Sequence, residues 1–374
     1  MSWGFVPKHG TQRYKSAIQL MQEAAGVISL GGGFQAYFTQ NRDGSVLPWK
    51  VEPMIEVGKF VRERQKYCQN SEPIPQIALY FSKEDFYRRI PKLYGGWEWG
   101  DYIKGLLFAL LDNQKPVQVM SEHHLSGNYS KYPLIVLPNM LYIEEREKRN
   151  LLDYAKSGGN LLITGINSAV LFKQDLDFEI TADTLETKGF FLEYENKFST
   201  ISGPYKKVIL PANATEMGWL YSANMPRNPK YPAGMIMPYG KGKIGFIFTD
   251  IGLHYFNGSS SKLRDYLNAF VGKLFPDPVV EVKGSHYIDV TLNKIGNKKI
   301  VNLINTGGHH NSSVVDVYDE VPSLYNVNVS IKCDSKPKKV TLVPGDKKVN
   351  FTYKNGKASV LIPELKIHSL LVVE

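Results

Sequence analysis

Tyr132-Pro-Leu-Ile-Val-Leu-Pro138 and Asn160-Leu-Leu-Ile-Thr-Gly165 decide how this chain is read. Each is an apolar run of strand length. Residues 144–157 lie between them with the periodicity of an amphipathic helix, and Gly158-Gly159 breaks that helix. Strand, helix, glycine break and strand make a parallel βαβ unit, the building block of an open doubly wound sheet. In such sheets, chemistry gathers in the turns at the carboxyl ends of the strands. Here those turns are Pro138-Asn-Met140 and Gly165-Ile-Asn-Ser168, and neither holds a cysteine. The frame of a catalytic domain is expected without its nucleophile.

Working outward, the same α/β pattern extends over residues 73–278. Strands are expected at 77–81 and 117–120, and a helix at 101–111. Two strands around a glycine turn are expected at 234–249. The last helix, 260–274, carries Leu263, Leu267, Phe270, Val271 and Leu274 as its inner stripe. Residues 190–208 look less regular. The prolines of Ser71-Glu-Pro-Ile-Pro75 mark a linker at the start of this domain, and Phe275-Pro-Asp-Pro278 ends it.

Residues 1–72 read as a strand at 3–6, a helix over 14–25, a fully buried strand at 24–30 ending in Gly31-Gly-Gly33, and a helix after Pro53. Two parallel strands do not make a stable sheet alone, so this segment reads as the end of a larger α/β structure. Residues 279–374 change character: helical periodicity gives way to many short alternating or β-branched runs. Asn355-Gly356 between two of them is a strong type I′ hairpin signal, and a β-sandwich is expected.

The chain has 374 residues, 43% hydrophobic and 22% charged, which fits a multidomain globular protein. Its +9 charge is scattered and not interleaved with aromatics, which argues against nucleic-acid binding. Cys68 and Cys333 have neither disulfide-framework nor metal-site spacing, and no cofactor or metal is implied. The first residues do not read as a secretory signal, and no apolar run approaches the ~20 residues of a membrane span.

Several motifs carry chemistry in principle. Gly240, Gly242 and Gly245 match G-x-G-x-x-G, but they lead into a strand, so a turn is expected rather than a dinucleotide site. His123-His124 and His309-His310 are adjacent pairs; neighbours on a strand face opposite ways and do not chelate one metal. Gly31 to Gly33 allow close approach of a ligand or serve a tight turn. Trp97-Glu98-Trp99 offers two indoles around a carboxylate, suited either to a sugar face or to loop packing. Trp49 and Trp219 are weaker candidates of that kind. Carbohydrate-contact candidates are therefore Trp3, Gln35, Tyr37, Trp97 and Trp99. Glycoside hydrolysis needs two carboxylates across the scissile bond. Asp43, Glu52, Glu56, Glu98 and Asp101 are available, with Asp43, Glu98 and Asp101 the catalytic candidates, and the sequence selects no pair among them.

The order of segments resembles the C-terminal part of multidomain bacterial glycoside hydrolases of the β-galactosidase and α-L-fucosidase-like kind. The resemblance rests on Leu30-Gly-Gly-Gly-Phe-Gln-Ala-Tyr37 with Asp43-Gly44, on Tyr132 to Pro138, and on Leu152-Asp-Tyr-Ala-Lys-Ser-Gly-Gly-Asn-Leu-Leu-Ile163. Tyr239-Gly-Lys-Gly-Lys243 and Ile367-His-Ser-Leu-Leu-Val-Val373 complete it. It implies a partial (β/α)8 barrel end over 1–72, a flavodoxin-like (class I amidotransferase-like) doubly wound domain over 73–278 that serves trimerisation in β-galactosidases, and a β-sandwich over 279–374. The family's catalytic carboxylates sit on barrel strands that would precede Met1, so no position here inherits them. The expectation is an accessory and assembly portion acting on carbohydrate, inactive alone, forming a homo-oligomer or joining an upstream barrel-containing chain. The rivals are a complete small glycosidase, a glycan-binding or oligomerisation module, and an amidotransferase, the last disfavoured by the missing nucleophile.

Overall fold

A computed structural model describes residues 2–3, 6–8, 11–13, 15–36, 40–90, 100–222, 230–308 and 317–374. Their contacts divide the chain into two units. One comprises Met1–Ile74, Gln114–Pro116 and Val279–Glu374; the other comprises Pro75–Asn113 and Val117–Pro278.

In the first unit, Ile300-Val-Asn-Leu-Ile304 and Leu370-Leu-Val-Val373 lack polar alternation because their sheet is covered on both faces. They lie in the strands Lys298–Asn305 and His368–Val373, at the centre of a six-stranded sheet. Its order is Lys347–Lys348, Val340–Val343, His368–Val373, Lys298–Asn305, Ile288–Ile295 and Glu72–Pro73. One face supplies Val301, Leu303, Leu371 and Val373 to a sandwich core. The opposing sheet, ordered Val280–Lys283, Leu324–Lys332, Lys357–Leu365 and Thr352–Lys354, supplies Val327, Val329, Val360 and Ile362. The other face of the six-stranded sheet presents Ile300, Ile304, Leu370 and Val372 to helices α1 (Ala17–Ile28) and α2 (Pro48–Cys68).

Polar bonds fix the helices there. Asn293 Nδ2 donates to the Ser29 carbonyl (2.6 Å) and to Ser71 Oγ (2.9 Å). Gln22 Nε2 donates to the carbonyls of Asn305 (2.6 Å) and Gly307 (2.9 Å). The leading residues differ from the expected βαβα order: Ser2–Trp3 is followed by an antiparallel pair, Val6–Lys8 with Thr11–Arg13, before α1, and the second parallel strand also moves. Residues 24–28 are not a strand: Leu20, Ala24, Ala25 and Ile28 form the buried stripe of α1, which Ser16 caps. A short apolar run continuous with a helix stays helical. The second parallel strand is Gln35–Ala36, pairing with Ser2–Trp3. α2 begins before Pro53, because Pro48 at its start fits the first helical turn. The Asn355-Gly356 turn joins Thr352–Lys354 to Lys357–Leu365, with φ of 52° and 73°. Among the short runs expected as strands over 279–374, that at 314–318 falls partly outside the described residues, and residues 317 and 318 are not strand.

In the second unit, a seven-stranded sheet has the order Thr215–Glu216, Gly234–Tyr239, Gly242–Ile247, Asn160–Thr164, Leu134–Leu137, Ile77–Phe81 and Val117–Ser121. The last five are parallel, in a doubly wound arrangement with Ile77–Phe81 between its two successors. The helices of this unit are α3 (Lys83–Arg89), α4 (Asp101–Leu111), α5 (Glu122–Leu125), α6 (Glu145–Lys156), α7 (Ile166–Phe172), α8 (Ile251–Gly258) and α9 (Ser261–Leu274). α4 and α8 cross closely enough that a Cβ on Gly105 would lie 1.9 Å from the Gly252 carbonyl oxygen, and one on Gly252 would lie 2.1 Å from that of Tyr102. The Gly240 to Gly245 motif lies in an antiparallel hairpin, Gly234–Tyr239 with Gly242–Ile247. Residues 190–208, expected to be irregular, belong to a long hairpin of Glu179–Tyr194 with Lys197–Ile209. Its turn places Glu195 and Asn196 at positive φ without the Asn-Gly signature. Among the described residues no closed barrel is present, and no helix is long and apolar enough to cross a membrane.

Candidate functional site

The carboxyl ends of the parallel strands, where chemistry is expected, converge on Asp85. Ser82 caps α3 directly after Ile77–Phe81, its Oγ accepting from the Asp85 amide (3.2 Å). This turns the Asp85 side chain back over the strand ends, where it is fully buried. Oδ1 accepts from the backbone N–H groups of Leu141 (2.7 Å) and Tyr142 (3.0 Å). Oδ2 accepts from Arg89 Nε (2.8 Å) and the Tyr102 hydroxyl (3.0 Å). Arg89 also donates to the Asn139 carbonyl and lies over the Tyr102 ring, 4.2 Å from its centroid. Asn139 Nδ2 donates to Asp250 Oδ2 (2.8 Å), and Asp250 Oδ1 caps α8 by accepting from the Leu253 amide (3.0 Å). Burial raises the Asp250 carboxyl above its ordinary value, against the lowering effect of those two donors.

The turn that would carry a nucleophile is equally committed. Ser168 Oγ accepts from the Met140 amide and donates to the Pro138 carbonyl, both at 2.7 Å. Gly165 has φ of +89°, and the Asn139 side chain occupies the place its Cβ would take, 2.1 Å from Oδ1. Among the described residues, Asn139 Oδ1 and Thr249 Oγ1 are buried here without a hydrogen-bond partner. Asp85 has its accepting positions filled, and the one hydroxyl proton of Ser168 is already given to the Pro138 carbonyl rather than to a base. The arrangement fixes three turns against each other; it does not present a reacting atom. The thiols do not fill that role, since burial pushes Cys68 up to about 12 and also raises Cys333.

The sequence-derived candidates fall elsewhere. Asp43 lies in an exposed turn, where hydrogen bonds from the Ser45 hydroxyl (2.6 Å) and amide (2.9 Å) lower its pKa. Asp101 opens α4 and pairs with Lys104 (2.9 Å). Glu98, Trp97, Trp99 and Tyr37 lie outside the described residues. Trp3 and Gln35 sit on the parallel pair Ser2–Trp3 and Gln35–Ala36, with Gln35 exposed. The glycine run Gly31 to Gly33 borders a cleft of about 470 Å³ with Phe34, Met54 and Val61. Trp219 is covered by the Lys230 ammonium, 3.8 Å from the ring centroid. His123 and His124 lie on α5 rather than a strand, with their rings 4.1 Å apart beside Ser121. His309-His310 is outside the described residues. Among the described residues, no three His, Cys, Asp or Glu side chains gather as metal ligands. Asp85, Arg89 and Asp250 were not singled out from sequence. The signal was Ser82-Lys-Glu-Asp85, an N-capping pattern directly after a strand.

No family model matches the sequence, and no curated protein does. Solved structures do match. The α-L-fucosidase isoenzyme 2 from Paenibacillus thiaminolyticus aligns with a TM-score of 0.80 at 16% identity, over 96% of this chain and 58% of its own. A beta-galactosidase from G. stearothermophilus aligns with a TM-score of 0.68 at 15% identity, over 98% and 52%. One from Bacillus circulans sp. alkalophilus gives 0.64 at 11%, over 97% and 53%. The fold is one found in glycoside hydrolases. The chain spans a little over half the length of these structures, consistent with a C-terminal part of such an enzyme. At these identities the glycoside hydrolase likeness concerns the backbone, and no residue role is carried across.

Proposed function

We propose that this chain is the C-terminal accessory and assembly portion of a carbohydrate-active glycoside hydrolase. In this reading residues 1–72 are the last pieces of a (β/α)8 barrel, 73–278 an amidotransferase-like domain of the trimerisation type, and 279–374 a β-sandwich. The remaining barrel strands lie outside residues 1–374 and pack against residues 1–72, and the whole works as a homo-oligomer or with a barrel-containing partner.

One observation carries this reading: α2 is apolar on two sides. Val57, Phe60, Tyr67 and Cys68 are buried within the first unit. On the opposite side of its first turns Leu47, Val51 and Ile55 recur every four residues and are 39%, 36% and 52% exposed. A helix that is apolar on its outward face needs a partner to cover it. The adjoining Ser2–Trp3 and Gln35–Ala36 strands form a parallel pair too small to be stable as a free sheet. The saturated turns around Asp85 support a non-catalytic role for the doubly wound domain.

The rival of a complete small glycosidase requires a general acid held protonated near neutral pH. Asp43 is lowered rather than raised, which disfavours it in that role. The purified chain is expected to show no enzyme-like turnover of aryl α-L-fucosides or β-galactosides. Turnover that disappears in Asp43→Ala or Asp101→Ala would replace this proposal with the complete-glycosidase reading. Co-expression with a polypeptide that carries the remaining barrel strands tests the assembly. Co-purification that is lost in Ile55→Asp, with the melting temperature unchanged, is the expected result, and independent behaviour of the two chains overturns it.

A further inference from the structure

The exposed face of the four-stranded sandwich sheet has a feature that the proposed role does not use. Pairing registers place Glu281 opposite Ser330, Ser330 opposite Ser359, and Ser359 opposite Thr352. One polar row therefore crosses all four strands, about 14 Å at ordinary strand spacing. Three of its four members are short hydroxyl side chains, so the sheet surface sinks along it. The result is an open trough of about 560 Å³. Phe351 and Leu361, the latter 55% exposed, stand at its margin as apolar contacts. Asn328 and Asn350 add amides.

The charge around the floor is uneven. The row on one side, Lys332, Lys357 and Lys354, is aligned by the same registers. Lys357 reaches across to Glu281 (3.0 Å). Lys283 lies opposite Asn328 on the other side. The floor itself is tied by a hydroxyl contact of 2.7 Å between Ser330 and Ser359. Hydroxyls, amides and a carboxylate facing one way, with apolar margins, match the mixed polar and C–H surface of a sugar. Flanking ammonium groups favour one carrying sulfate or carboxylate.

We infer that this trough binds an oligosaccharide laid across the strands, with preference for an acidic one. The inference concerns binding on the sandwich alone, so it holds or fails whether or not the chain hydrolyses anything; only the choice of a galactan probe leans on the proposed function. The test is saturation-transfer NMR of the full chain with a sulfated galacto-tetrasaccharide and its unsulfated counterpart. Both are expected to bind, the sulfated one more tightly at low salt, with the difference shrinking as salt screens the lysines. Ser359→Trp fills the floor from an outward-facing position and is expected to weaken binding roughly tenfold or more while leaving the melting temperature unchanged. Glu281→Gln, a smaller change, provides the second variant: it removes a negative charge from the floor and frees Lys357, and is expected to tighten the sulfated sugar more than the unsulfated one. Absence of binding to both sugars, or equal binding by the parent and both variants, overturns the inference.

Discussion

Two buried polar clusters in this molecule are built on opposite principles. Around Asp85, a carboxylate accepts four hydrogen bonds from three chain segments and pairs with Arg89. Beneath α2, the Arg64 guanidinium has no buried carboxylate among the described residues. It donates to the carbonyls of Phe60 (2.7 Å) and His368 (3.0 Å) and stacks on the Phe60 ring, 3.6 Å from its centroid. It also meets the largely exposed Glu63 carboxylate at 3.2 Å. Nearby, His368 Nε2 meets Asn302 Oδ1 at 3.1 Å, and Cys68 Sγ approaches the same oxygen at 3.7 Å. Arg64 Nε, His368 Nδ1 and Asn302 Nδ2 are left without partners. The first cluster is closed by hydrogen bonds and the second by packing. A closed network specifies one arrangement of turns, whereas the packed one tolerates repacking.

The sharpest way to break the comparison is at Asp85. Asp85→Ala strands the buried Arg89 charge, two backbone N–H groups and a tyrosine hydroxyl, and is expected to cost about 3–5 kcal/mol in urea unfolding. Exchange of the Leu141 and Tyr142 amides should accelerate with it. A loss below ~1 kcal/mol would mean that the turns are held by something other than this carboxylate.

Arg64 is expected to behave differently. Arg64→Ala removes the stem that packs on Phe60 and should cost about 2–3 kcal/mol. Arg64→Met keeps an apolar stem and removes a buried charge that has no buried counter-ion, so it should recover more than half of that loss. The matching Arg89→Met should recover little, because the buried Asp85 carboxyl would lose the cation it pairs with. Equal behaviour of the two methionine variants would erase the distinction drawn here.

His368 sharpens the comparison through pH. Burial, and then the nearby Arg64 charge, hold its imidazole well below the ordinary histidine value. The folded protein therefore binds this proton less readily than the unfolded chain does. Stability from this site is complete above the unfolded value near 6.5 and declines as pH falls below it, by up to about 1.4 kcal/mol per pH unit. Chemical unfolding between neutral pH and pH ~5 should show this slope, and His368→Gln should flatten it.

The two clusters also differ in how well they could be read from sequence. The doubly wound sheet was legible because its strands are short apolar runs punctuated by glycine, and Asp101–Leu111 carries its periodicity openly. The strand expected at 24–30 was misread because an alanine-rich buried stripe and a buried strand are equally apolar over seven residues. Cover for the six-stranded sheet on both faces was missed, because 300–304 and 370–373 were read as ordinary alternating or β-branched sandwich runs although only Asn302 interrupts their apolar residues. The polar side chains of these two strands that point toward the helices, Asn302 and His368, do so from positions that pattern alone does not explain. Asp85 was hidden for another reason: its partners lie on segments far apart in sequence, and a capping motif gives no sign that its carboxylate will be buried.

Asp250 gives the finest test because it shares the crown with Asp85 but has fewer obligations. Its pKa is raised, so the fold favours the neutral acid: stability from that preference is present below the unfolded value and is lost as pH rises through the folded one. Asp250→Asn removes that dependence. An asparagine there still caps α8 by accepting from Leu253. Its new amide group would face Asn139 Nδ2, a donor against a donor. Turning the Asn139 amide over brings Oδ1, which has no partner at present, into the bond instead. The expected change at neutral pH is therefore under about 1 kcal/mol, measured by urea unfolding. Asp85→Asn has no such escape, because both oxygens accept two bonds, and it should lose most of what Asp85→Ala loses. If the two asparagine variants proved equally damaging, Asp250 would belong to the closed network rather than to its margin.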